Sequence, residues 1–112
     1  IEVNPTTVRV PVLYGHSEAV HLELEEKITA DEVKSILGAK NSGVVLVDDH
    51  KDGGYPCAAN ECEESNDVFV GRVREDISTK YGINMWVVSN NIRKGAAYNS
   101  VQIAELLIKD YL

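Results

Sequence analysis

Two residues near the start of the chain have the chemistry to work on a small acid. Arg9, in Thr7-Val8-Arg9-Val10-Pro11-Val12, is a permanent cation whose planar fork can grip a carboxylate at two points. His16 follows Gly15, where the backbone is free to bend. An unperturbed imidazole titrates at about 6.5, so it can take or give a proton near neutrality. The stretch from Thr7 to Glu25 reads as strand, sharp turn, strand, which would deliver both side chains to one end of a sheet. An anion clamp beside a proton shuttle is a catalytic arrangement. Each residue also has a plainer reading. A strand arginine commonly pairs at the surface, here with Glu23 or Glu25, and a histidine after glycine is commonly a turn residue.

The elements that must position these groups are legible in outline. Val8, Val10 and Val12 alternate with Thr7, Arg9 and Pro11, so an edge strand is expected there with Arg9 on the outer face. Val20, Leu22 and Leu24 alternate with His21, Glu23 and Glu25, a half-buried strand. Thr29-Ala30-Asp31-Glu32 is a capping box, and the helix it opens carries Val33, Ile36 and Leu37 before stopping near Gly38. Val44–Val47 reads as a buried central strand, Val68–Arg74 as a strand with Val68 and Val70 on one side, and Ile83–Ser89 as a further strand. Gly71 interrupts its strand at a bulge or a close backbone approach. Residues 48–66 form a long loop, and long loops in small domains commonly carry function or an interface. The expected fold is α+β, a mixed sheet of about five strands with two helices.

The second helix, Ala96–Tyr111, is apolar around more than half its girth. Ala97, Val101, Ala104, Ile108 and Tyr111 make one stripe, and Ile103, Leu106 and Leu107 widen it. Such a helix needs cover on more than one side, so a second domain or a second subunit is expected, and the isolated chain is expected to self-associate. Trp86 and Met85 are expected in the core, and His21 and His50 in solvent.

The 112 residues suffice for one domain, and the formal charge of −7 argues against nucleic acid as a partner. No apolar run approaches the length of a membrane span, and no signal peptide is visible. The chain begins with Ile1 rather than Met, which suggests a processed chain or a piece of a longer one. Cys57 and Cys62 read as free thiols in a surface loop. With His50 they fall short of a four-ligand zinc set, so no metal is expected. The acidic residues Glu61, Glu63, Glu64 and Asp67 read as a solvated loop.

Several motifs, in order along nearly the whole chain, carry a resemblance. They are Arg9-Val10-Pro11-Val12, Gly15-His16-Ser17-Glu18-Ala19-Val20, Tyr55-Pro56, Val70-Gly71-Arg72-Val73-Arg74, Trp86-Val87-Val88 and Asn91-Ile92-Arg93-Lys94-Gly95-Ala96-Ala97, followed by Asn99 and Gln102-Ile103-Ala104-Glu105. The chain resembles the C-terminal part of bacterial aspartate-semialdehyde dehydrogenase. The resemblance implies a catalytic and dimerisation domain fragment over residues 1–112, with the N-terminal NADP-binding domain outside it. It implies a cytoplasmic NADP-dependent enzyme interconverting aspartyl phosphate and aspartate semialdehyde, with release or uptake of phosphate. That step leads to lysine, threonine, methionine and diaminopimelate, and the protein is expected as a homodimer or homotetramer. By the same resemblance Arg9 matches the substrate-binding arginine, His16 the acid/base histidine, and Asn91 the amide that meets the nicotinamide. The family's nucleophilic cysteine lies upstream, and neither Cys57 nor Cys62 falls at its position. No glycine-rich phosphate turn exists here either, so the chain alone is expected to be inactive. Arg93 and Lys94 are expected to face water or the missing domain. The competing expectation is a non-catalytic dimerisation module derived from the same fold.

Overall fold

The capping box at Thr29 forms as its spacing predicts. Thr29 Oγ1 accepts from the Glu32 N–H at 3.2 Å, and Glu32 Oε2 accepts from the Thr29 N–H at 2.8 Å. The backbone N–H of Thr29 also holds the Glu32 carboxyl below its ordinary pKa. Helix α1, Ala30–Leu37, is too short to persist alone and survives by burying Val33. The computed structural model describes residues 1–40 and 43–112. Their strands are β1 (His16–Glu23), β2 (Val44–Leu46), β3 (Val68–Glu75) and β4 (Gly82–Ser89), and the other helices are α2 (Ala58–Glu61) and α3 (Tyr98–Tyr111).

The strands form one mixed sheet in the order β1-β4-β3-β2, with β2 parallel to β3 and the other pairs antiparallel. Val33 of α1 packs with Val70, Val73 and Ile83 on one face. Ala58 and Cys62, with Val88, form a second cluster on the other face, flanked by Phe69 and Trp86. Each fully buried side chain of this size contributes roughly 1.5–3 kcal/mol.

β3 carries one extra residue against β4. Gly71 pairs with Trp86 and Arg74 with Asn84, so three steps on β3 match two on β4. This bulge changes the phase of the strand. Simple alternation from Val68 and Val70 would turn Arg72 inward, whereas the bulge turns Val73 inward, 5% exposed, and leaves Arg72 outside. Gly71 also meets the expectation of a close approach, since a Cβ there would collide with the Val47 carbonyl.

The expected architecture is corrected in four places. The strand expected across Thr7–Val12 does not form. Residues 1–15 lie in no helix or strand, and the Val12 N–H bonds to the Val10 carbonyl at 3.0 Å, closing a three-residue turn around Pro11. A strand is stable only when laddered to a neighbour, and the free edge of β1 makes no ladder with this segment. Among the described residues the sheet therefore has four strands, not five. β2 is an edge strand with Val45 39% exposed, not a central one. β1 is exposed along almost its whole length rather than half-buried. The long loop contains α2, so the described residues form three α-helices, and Cys62 is fully buried instead of lying in a surface loop.

α3 is preceded by a π-helical turn, Arg93–Ala97, and among the described residues it has no buried member. Val101, Leu106, Ile108 and Tyr111 are all more than half exposed. The bare N-terminal segment and this helix explain a radius of gyration of 15.4 Å. A compact chain of this length has about 13 Å.

Candidate functional site

His16 is the first residue of β1 and stands opposite Ser89, the last residue of β4. Asn91 follows two residues later, so this register brings the imidazole and the amide to the same end of the sheet. Both side chains are exposed, and neither engages another side chain among the described residues. The turn into His16 is fixed from below. Gly15 is buried with φ at +83°, and a Cβ on it would collide with Cys62 Sγ.

Arg9 lies in the extended segment before β1, exposed and without an ion pair among the described residues. The expected pairing with Glu23 or Glu25 is absent, and no hydrogen bond joins Arg9 to His16. The two are thus not delivered by a β-hairpin, because the strand that would have carried Arg9 is not formed.

A cavity of about 400 Å³ opens where the N-terminal segment meets β1, lined by Val12, Ser17, Tyr55, Pro56, Arg72 and Trp86 among others. Its walls are set by two interactions. Trp86 Nε1 donates to the Pro56 carbonyl at 3.1 Å, and the Arg72 guanidinium lies 5.1 Å from the Tyr55 ring centroid. Ser17 faces this cavity, so strand alternation turns the neighbouring His16 to the opposite face. Trp86 and Met85 pack against the two core clusters, as expected.

The remaining candidates are placed as follows. Arg93 Nη1 donates to Asn66 Oδ1 at 3.3 Å, and Lys94 Nζ donates to Gln102 Oε1 at 2.6 Å. Both cations thus already have neutral partners. His50 is exposed. His21 is exposed as well, and its ring has polar neighbours: Nδ1 lies 3.2 Å from Asn84 Oδ1 and 3.8 Å from Asp76 Oδ2, and Nε2 is 3.6 Å from Glu23. Burial pushes the Cys62 thiol pKa up, with Glu61 and Cys57 adding to it, so Cys62 is a poor nucleophile. Glu61 accepts from the Cys57 N–H at 2.5 Å, a tie within the loop. Among the described residues no group of three or more His, Cys, Asp or Glu is arranged to hold a metal ion. Among the described residues no helix is long and apolar enough to cross a membrane.

Sequence reading missed Asn90, the best-connected polar residue near His16 and Asn91. It stood out only as part of an Asn-Asn turn, and the partner that buries it, the Cys62 carbonyl, comes from a segment distant in sequence. Arg72 was missed as a wall of the cavity because its outward direction depends on the bulge.

A four-stranded mixed α+β sheet that ends in an uncovered apolar helix is a domain with a face still to bury. The chain belongs to the semialdehyde dehydrogenase family: the model of that family's dimerisation domain matches residues 1–94. The aspartate-semialdehyde dehydrogenase of Legionella pneumophila is 56% identical over 112 residues, which are 100% of this chain and 32% of that protein. The enzyme of the same name from Aquifex aeolicus is 48% identical over 113 aligned positions, again 100% of this chain and 32% of that protein. Among solved structures, aspartate semialdehyde dehydrogenase II of Vibrio cholerae in complex with ASA superimposes with a TM-score of 0.83 at 48% identity, over 92% of this chain and 30% of that one. The chain therefore spans about a third of the length of the curated relatives it matches.

Proposed function

We propose that the protein carrying this chain is a cytoplasmic, NADP-dependent aspartate-semialdehyde dehydrogenase, and that these residues form its C-terminal substrate and dimerisation segment. The observation that carries this reading is the 56% identity along the full chain to a relative of that name, with Arg9, His16 and Asn91 all present. In this reading Arg9 holds the α-carboxylate of aspartate semialdehyde or aspartyl phosphate. Its guanidinium has no ion pair among the described residues, and a two-point grip would orient the reacting carbon. His16 moves the proton on and off the substrate oxygen or the attacking sulfur, a task suited to an exposed imidazole at a rigid strand end. The Asn91 amide, with no partner among the described residues, can both donate to and accept from a carboxamide.

The residues present fit the nicotinamide end of NADP and no more of it. When bound, NADP supplies or accepts the hydride. Its phosphates would need a basic or glycine-rich cradle, and Arg93 and Lys94 are already bonded to Asn66 and Gln102. The reading therefore assigns phosphate binding and the nucleophilic cysteine to upstream residues, and this chain alone is expected to be inactive. Homodimers or homotetramers are its expected assemblies.

The test is phosphate-dependent NADP reduction by the whole protein with aspartate semialdehyde. His16→Ala should lower kcat by roughly 10²–10⁴-fold. Arg9→Lys should raise the substrate KM, because an ammonium cannot reproduce the fork. Near-normal turnover in His16→Ala would remove the acid/base role. The open faces of α3 favour one other reading, a non-catalytic dimerisation module, which a whole protein that assembles but does not turn over would establish.

A further inference from the structure

Asn90 is buried, 3% exposed, and both ends of its side-chain amide are engaged. Nδ2 donates to the Cys62 carbonyl at 2.6 Å. Oδ1 accepts from the N–H groups of Ile92 and Arg93, each at 3.0 Å. Its main-chain carbonyl accepts from the Gly95 N–H at 3.2 Å, an i→i+5 bond that opens the π turn. The bond from Ile92 closes an Asx-turn with Asn91 at its centre. The bond to Cys62 ties the same point to the residue packed beneath Gly15, which leads into His16. The buried amide thus joins two chain segments, the Asn91 turn and the loop at Cys62, and Cys62 in turn packs against Gly15 at the entry to His16.

We propose that Asn90 is a positioning residue, fixing the direction of the Asn91 amide and its separation from the His16 imidazole. This rests on the roles given above to Asn91 and His16. The amide itself is required. Aspartate would still accept from Ile92 and Arg93, but it has no N–H for the Cys62 carbonyl and would set a carboxylate against it. Serine would retain one capping oxygen and also lose the Cys62 bond. Either change frees the Asn91 turn from the loop beneath Gly15 while leaving a cap for the helix start.

The experiment uses the whole protein with Asn90→Asp and Asn90→Ser, beside Asn91→Ala and Val88→Ala. Val88 is fully buried in the same cluster as Cys62 but makes none of these bonds, so its truncation reports simple loss of stability. Both Asn90 variants should raise the KM for NADP and lower kcat by roughly tenfold each, with the KM for aspartate semialdehyde within about twofold of wild type. Val88→Ala should lower the urea midpoint and leave both KM values unchanged. An unchanged NADP KM in both Asn90 variants, with a raised one in Asn91→Ala, overturns the positioning role alone. So does an equal rise in Val88→Ala. An unchanged NADP KM in Asn91→Ala overturns the reading on which the proposal rests.

Discussion

Asp48 holds Arg72 in a left-handed backbone conformation. Its Oδ1 accepts the Arg72 N–H at 2.8 Å and its Oδ2 the Val73 N–H at 3.1 Å, while Lys34 Nζ lies 3.2 Å from Oδ2. Arg72 has φ at 54°, a conformation that costs a non-glycine residue on the order of 1–3 kcal/mol. The carboxylate meets that cost by satisfying both N–H groups that the bulge removes from the ladder. One side chain thereby joins α1, the end of β2 and the bulge of β3.

Asp48→Ala should therefore destabilise the domain by about 2–4 kcal/mol, since it leaves two backbone donors unpaired and Lys34 without its partner. Asp48→Asn keeps one acceptor and should cost about half as much. Urea unfolding measures both. A loss under about 0.5 kcal/mol in the alanine variant would show that the bulge does not depend on this carboxylate.

Gly15→Ala should cost roughly 2–4 kcal/mol, because the new Cβ enters both a left-handed φ and the space of Cys62 Sγ. Replacing Cys62 by the smaller Ala in the same chain should recover part of the loss, the steric part, and leave the backbone part. If the double variant recovers nothing, the packing of Gly15 on Cys62 is not what constrains the turn.

Acid should weaken the β3–β4 turn through Asp76. Its carboxylate accepts from Ser78 Oγ at 2.7 Å and from the N–H and hydroxyl of Thr79 at 3.1 and 2.9 Å, and these bonds hold its pKa far below the ordinary 3.8. A folded pKa below the unfolded one means that the bound proton favours the unfolded chain. The stabilisation is complete above about pH 5, declines as pH falls below the unfolded value of about 4, and is lost once the folded carboxyl protonates. Asp76→Asn should lower Tm at pH 7 and flatten its dependence on pH below 4. Parallel Tm profiles for the two proteins would contradict this.

The bare helix α3 should make the isolated chain self-associate. Val101→Glu with Ile108→Glu, both on the uncovered stripe, should restore a monomer in sedimentation velocity. A wild-type chain that sediments as a monomer with a cooperative melt would show that these faces need no cover.

What could be read in advance was local or periodic. The α1 cap needs only Thr29 and Glu32, three residues apart. The apolar run Ile83–Ser89 predicts β4, and Gly71 marks the bulge of β3 by lacking a side chain. The failures are non-local. Thr7–Val12 has the alternation of a strand but ladders with neither free edge of the sheet, and Pro11 closes a turn instead. Val44–Val47 is apolar enough for a central strand, yet whether a strand is central depends on what lies on its far side. Cys62 sits among acidic residues in sequence, and it is buried because Val88 and Asn90 reach it from β4 and the loop beyond.

By itself, the sequence determined the kind of domain this is: an acidic α+β unit with a self-capped first helix and a last helix that is apolar around more than half its girth. The ordered motifs around Arg9, His16 and Asn91 also pointed to the family. The tertiary structure alone decided that His16 and Asn91 share one end of the sheet, that Arg9 does not arrive there on a strand, and that Arg72 turns outward. Helix caps and side-chain periods depend on residues a few positions apart. Strand order, bulge phase and the partners of a buried amide depend on contacts between residues that the chain itself keeps far apart.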